Sequence, residues 1–218
     1  GVKDIKKGII RPVIPLDKIF VEGPVRMLRA VKYSATTGCG LPLFLKRKIR
    51  KSAYLLSPIS PSRLTEELQK IINSGHAFEI VSKTLETDLY MYLQPTATAI
   101  MYSNREFEKN YLKNLKKLDE FTVANPDARL GEKLYFMIFD FISSLTDWNK
   151  EVESHSAAGE IYVKTWSECR SFVLPMNPQR TELEFAIRKV LKDLGVQMYT
   201  NKKRKKKPVS KKNSKKQS

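Results

Sequence analysis

The residues best suited to chemistry in this sequence are cations. Arg26, Arg29 and Tyr33 lie three and four residues apart, and Lys32 flanks them. On a helix, that spacing puts two guanidinium groups and a ring on one face. A guanidinium is planar and permanently charged. Its forked N–H donors can pair with a base edge or a phosphate in a geometry lysine does not offer. A second cationic group closes the chain. From Lys202 to Ser218 there are ten Lys or Arg and no acid, beginning with Lys202, Lys203, Arg204, Lys205, Lys206 and Lys207. That tail supplies +10 of the formal +17, leaving +7 on the rest. Both parts suit a polyanion, and neutralised phosphates release counterions, so such binding weakens steeply with salt. An anionic membrane is the rival partner. The tail has almost no apolar side chain to insert, and no apolar run approaches the ~20 residues of a membrane helix.

Other chemistries find little support. Two cysteines, Cys39 and Cys169, make neither a disulfide framework nor a zinc knuckle. They fit a reduced, cytoplasmic protein. The two histidines, His76 and His155, read as surface or capping residues rather than metal ligands. No Walker loop, dinucleotide glycine fingerprint or Ser-His-Asp arrangement is present.

The elements that must position the cations are helices. Residues 1–20 read as a connecting segment, with Gly8–Ile14 strand-like and Pro12 favouring an edge. From Pro24 the pattern is helical, with Val25, Leu28, Val31 and Ala35 inward and Gly38 as the stop. A second helix follows from Leu43 to about Leu55. Ser60 and Pro61 open a third, with Leu64, Leu68, Ile71 and Ile72 inward and Gly75 ending it. A fourth covers about 77–87, and Pro95 breaks the chain. Beyond it, helices are predicted over 105–121, 134–145 and 180–194, with 147–165 polar and ambiguous. The predicted fold is all-α: a connecting segment over 1–20, an antiparallel helical neck over 21–95, a helical body over 96–200 and a disordered basic tail over 201–218.

One stretch carries a resemblance. Glu22-Gly-Pro-Val-Arg-Met-Leu-Arg-Ala-Val-Lys-Tyr-Ser-Ala35 resembles the Glu-Asp-Pro-x-Arg-Met-Leu-Arg-Ala signature of the bacterial poly(A) polymerase and CCA-adding enzyme family. Asp4–Arg11 is similar to the segment joining catalytic head to neck, and Ser60–Ala77 to the helix supporting the neck. Leu174–Glu184 adds a weaker match. The resemblance implies that Arg26 hydrogen-bonds the edge of the incoming nucleotide. Arg29 and Glu22 are the further nucleotide-binding candidates beside it. Lys32 and the tail cations Lys202 to Lys207 are the RNA-binding candidates by charge, and Asp4 and Arg11 read as bracing residues between head and neck. The acidic position of the motif is Gly23 here, which offers no side-chain acceptor.

The family's reaction needs two metal-holding carboxylates on a strand behind a Gly-rich turn. Glu182-Leu-Glu184, Glu151-Val-Glu153 and the pair Asp140 and Asp147 do not supply that arrangement. The expectation is the C-terminal part of a polynucleotide adenylyltransferase. The full-length enzyme would use ATP and Mg²⁺ on RNA 3′ ends, single-stranded or tRNA; neither DNA nor membrane is expected as a partner. Alone, this chain is predicted inactive. A CCA-adding enzyme fragment and a non-catalytic helical RNA-binding module are the alternatives. The Lys-rich tail favours poly(A) polymerase, which must hold RNA of any sequence.

Overall fold

The computed structural model describes residue 4, residues 6–148 and residues 158–196. Among these the fold is all-α. The helices are α1 (Leu16–Glu22), α2 (Val25–Thr37), α3 (Leu43–Ser52), α4 (Pro61–Ile72), α5 (Ala77–Glu86), α6 (Tyr90–Leu93), α7 (Pro95–Ser103), α8 (Arg105–Ala124), α9 (Leu130–Ser144), α10 (Ala158–Phe172) and α11 (Arg180–Asp193). A 3₁₀ turn, Ala53–Leu56, continues α3. The tail with Lys202, Lys203, Arg204, Lys205, Lys206 and Lys207 lies outside the described residues, as do His155 and the Glu151–Glu153 pair.

Local signals set most boundaries. Ser60 caps α4, its hydroxyl accepting from the Arg63 N–H at 3.4 Å, with Pro61 at the first helical position. Gly38, Gly75 and Gly195 follow α2, α4 and α11 with positive φ, where a Cβ would be strained. Asn104 caps α8 by accepting from the N–H groups of Glu106 and Phe107, both at 3.0 Å.

Four places depart from the sequence expectation. The strand-like segment forms only an isolated bridge between Ile9 and Gly40, with Ile10 N–H donating to Gly40 O at 3.1 Å. Residues 16–22 fold as α1 because Leu16, Ile19 and Phe20 recur at helical spacing and reach the core. Pro95 starts a helix instead of breaking the chain, because proline lacks only an N–H that the first turn does not use. The ambiguous polar stretch ends in α10, whose Thr165, Cys169 and Phe172 are buried.

The core runs without interruption from Phe20 to Val196. α5 lies against both α2 and α8, and α9 packs against α8 and most extensively against α11. Phe141 stacks on Phe172 at 4.1 Å between ring centres, joining α9 to α10. Tyr90 and Tyr111 share a hydroxyl–hydroxyl hydrogen bond of 2.7 Å at full burial, so neither polar tip is left unpaired. The α2 face is thus held on a rigid scaffold rather than on a loop.

Candidate nucleic-acid interface

The chain turns sharply between α1 and α2. Gly23 ends α1, and Arg26 N–H donates back to Gly23 O at 2.9 Å as α2 begins. Val25, Met27, Leu28, Val31 and Ser34 then face inward. Glu22, Arg26, Arg29 and Tyr33 are exposed, and Lys32 is half-buried. Lys32 Nζ lies 5.5 Å from the centre of the Tyr33 ring. Arg26 and Arg29 make no hydrogen bond or ion pair with other described side chains. Their guanidinium groups are free to meet a ligand. Glu22 belongs to α1 rather than α2 and makes no ion pair with Arg26.

Gly23 has a direct effect on Arg26. A Cβ built at Gly23 would sit 3.1 Å from Arg26 Nε and 3.3 Å from its Cδ. The arginine therefore folds back over the space the missing side chain leaves. The glycine φ is −152°, a value any residue adopts, so the position is not reserved for glycine by backbone strain.

The far end of α2 is pinned by buried polar contacts. Ser34 Oγ donates to Cys39 O at 2.5 Å, and Lys83 Nζ of α5 donates to Ser34 O at 3.0 Å. An ammonium at a helix C-terminus also meets the negative end of its dipole. Asp4 and Arg11 form an ion pair of 3.1 Å beside the Ile9–Gly40 bridge, which ties the N-terminal segment to the loop after α2.

A second cationic element was not among the sequence-derived site residues. α3 carries Lys46, Arg47, Lys48, Arg50 and Lys51 with no acid. Lys46 pairs with Glu86, and Arg50 reaches Asp88 at 3.2 Å, so two cations fasten α3 to the end of α5. Arg47 and Lys51 have no such partner among the described residues. They lie between Phe44 and Tyr54 along the helix, which are exposed by 56% and 64%, values that put both rings in solvent. The readable signal was five cations in ten residues without an acid.

Other charges are structural. Glu67 is buried between Lys70, at 2.9 Å, and Arg63, at 4.0 Å. Glu182 accepts from Arg129 and from Gly131 N–H, and the Arg129 guanidinium holds its carboxyl below the usual range. Burial pushes the Asp140 carboxyl up, against the hydrogen bond it accepts from Asn114 at 2.7 Å. Among the described residues no three His, Cys, Asp or Glu side chains converge to hold a metal, and no helix is long and apolar enough to cross a membrane.

Comparisons with known proteins point one way. Residues 45–101, which include most of α3, match a family model described as "Probable RNA and SrmB- binding site of polymerase A". The Arg26 helix precedes that match. Poly(A) polymerase I of Escherichia coli is 34% identical over 130 residues, covering 60% of this chain and 27% of that protein. Its counterpart in Salmonella typhi is 31% identical over 134 residues, 62% of this chain and 28% of that protein. The CCA-adding enzyme of Geobacillus thermodenitrificans is 37% identical over 93 residues, 43% of this chain and 23% of that protein. The chain thus spans about a quarter of the length of these relatives. Its helical fold, the family-model match and these relatives together make the chain similar, over part of its length, to the poly(A) polymerases and CCA-adding enzymes.

Proposed function

We propose that this chain is the RNA-holding and nucleotide-selecting region of a template-independent polynucleotide adenylyltransferase that adds AMP from ATP to RNA 3′ ends in the cytoplasm. The observation that carries the reading is the exposed α2 face, where Arg26 and Arg29 stand unpaired at the motif positions. Arg26 presents a planar fork to the base edge of ATP. Lys32 and the tail cations Lys202 to Lys207 neutralise RNA phosphates. The described residues do not fit a Mg²⁺ site. In this reading the metal and the attack of the RNA 3′-hydroxyl on the nucleotide belong to a catalytic segment of the full-length enzyme that this chain does not contain.

The test is Arg26→Ala in the full-length enzyme. Losing bidentate base readout should lower ATP incorporation roughly ten- to hundred-fold, with RNA affinity held. Unchanged incorporation would remove the nucleotide-selecting role. The second reading, CCA addition to tRNA, is favoured by the similarity to CCA-adding enzymes. Equal binding of tRNA and unstructured RNA supports the adenylyltransferase, whereas a strong preference for tRNA supports CCA addition.

A further inference from the structure

We infer that the solvent face of α3 is a stacking platform for single-stranded RNA, on which Phe44 and Tyr54 each receive a base and Arg47 and Lys51 hold the phosphates between them. The inference rests on the RNA-holding reading and names the surface and the form of RNA it takes. Phe44, Arg47, Lys51 and Tyr54 follow one another at spacings of three, four and three, and all four are exposed. They therefore form one stripe along α3 and its 3₁₀ extension.

The division of labour among the α3 cations is what marks the stripe. Lys46 and Arg50 are consumed by Glu86 and Asp88, while Leu45, Ile49, Ala53 and Leu56 are buried beneath. The helix is thus fixed in rotation by its inner face and its flanking ion pairs. Arg47 and Lys51 are exposed and make no ion pair with another described residue. A solubilising face needs charge but no rings. Two aromatic rings in water next to two unpaired cations leave apolar area uncovered, and π-faces with adjacent cations complement a nucleic acid strand.

The geometry selects unpaired RNA. Ten residues of helix separate Phe44 from Tyr54, about 15 Å along the axis. A stacked step advances about 3.4 Å, so the rings serve bases that are not neighbours. Both must be turned out of a duplex to reach a side chain, and a paired strand shows only its backbone. Stacking is indifferent to base identity because every base has a π-face.

The experiment measures binding of the full chain to a fluorescent oligoadenylate and to a blunt RNA duplex of equal length, across a salt series. Phe44→Ala with Tyr54→Ala should weaken single-strand binding by roughly ten-fold for each ring, with the salt slope and duplex binding kept. Arg47→Ala with Lys51→Ala should flatten the single-strand slope by about 1.4, two phosphates at about 0.7 each. Circular dichroism melts of both variants should match the parent, since all four side chains are exposed. If the parent binds oligoadenylate and both double variants bind it unchanged, the platform is wrong and the RNA-holding reading survives. If the parent binds no RNA, both fall. Equal losses on single strand and duplex from the aromatic pair would also overturn the platform, because stacking requires unpaired bases.

Discussion

Gly23 decides how Arg26 is presented. The family signature that this segment resembles has an acidic residue there, a side-chain acceptor that glycine lacks. Here the arginine instead covers the glycine, with its Nε 3.1 Å from where a Cβ would be. In the proposed nucleotide-selecting role Arg26 has no fixed partner, and a side chain that must be ordered on binding costs ~0.5–1.5 kcal/mol. Gly23→Asp should reverse this. The backbone at −152° accepts the side chain, and Arg26, being exposed, can move aside and donate to the new carboxylate. The expected outcome in the full-length enzyme is a higher ATP-over-CTP ratio of kcat/KM, by up to about ten-fold, with little change in Tm. An unchanged ratio would mean that the position takes no part in selection. Arg26 and Arg29 were legible in the sequence because an i, i+3 pair on a helix with an inward Val25, Leu28, Val31 stripe has to point out. The fold-back of Arg26 was not, because it depends on a side-chain path that spacing does not encode. The Phe44–Tyr54 stripe was missed for a related reason. Which α3 cations are free depends on Glu86 and Asp88, about forty residues away in sequence.

At the scale of elements, the contact between α9 and α11 is the most tightly specified. Gly131, in the first turn of α9, faces Glu182. A Cβ there would meet Glu182 O at 2.7 Å and the Phe185 ring at 3.0 Å. Helix propensity alone favours alanine over glycine by ~1 kcal/mol. The clash is with backbone, which cannot swing away, and overpacking of this kind costs ~1–3 kcal/mol. The clash outweighs the propensity gain, so Gly131→Ala should be destabilising in urea titration by up to about 2 kcal/mol net, combining both terms; a stabilised variant would show that α11 can slide. The same contact carries a pH signature. Arg129 lowers the Glu182 carboxyl below its ordinary 4.5. A carboxyl depressed in the folded state contributes stability that is present above 4.5 and lost as pH falls through the depressed value. Asp140, raised by burial, has the opposite sign and loses its contribution as pH rises above 3.8. Tm measured from pH 6 to pH 3 should therefore show Glu182→Gln below the parent at the neutral end, with the gap closing in acid. A gap independent of pH would remove the Arg129 pair as its cause. Helices with caps were legible, as at Ser60 and Gly75. α7 was not, because Pro95 reads equally as a stop or as a first residue, and only the burial of Ala97, Thr98 and Met101 resolves the choice.

For the whole molecule the governing quantity is charge. The residues from Lys202 onward carry +10 of the +17, a charge that attracts a polyanion whatever its sequence. Two contributions to RNA affinity then separate by their salt dependence. Contacts from the tail are phosphate contacts, each adding about 0.7 to the slope of log K against log salt on single strands. Stacking on α3 adds affinity without slope. Deleting residues 202–218 should flatten the slope by several units, at most about 7 for ten cations, and weaken all RNA sequences alike. The loss should shrink as salt rises, and at the highest salt where binding is measurable the truncated and full chains should converge on the part supplied by the helices. A truncation that leaves the slope intact would make the tail a solubilising sequence and place every phosphate contact on the folded helices. A truncation that abolishes binding even at low salt would place the RNA on the tail alone, and α2 would then meet the nucleotide without holding the strand that receives it.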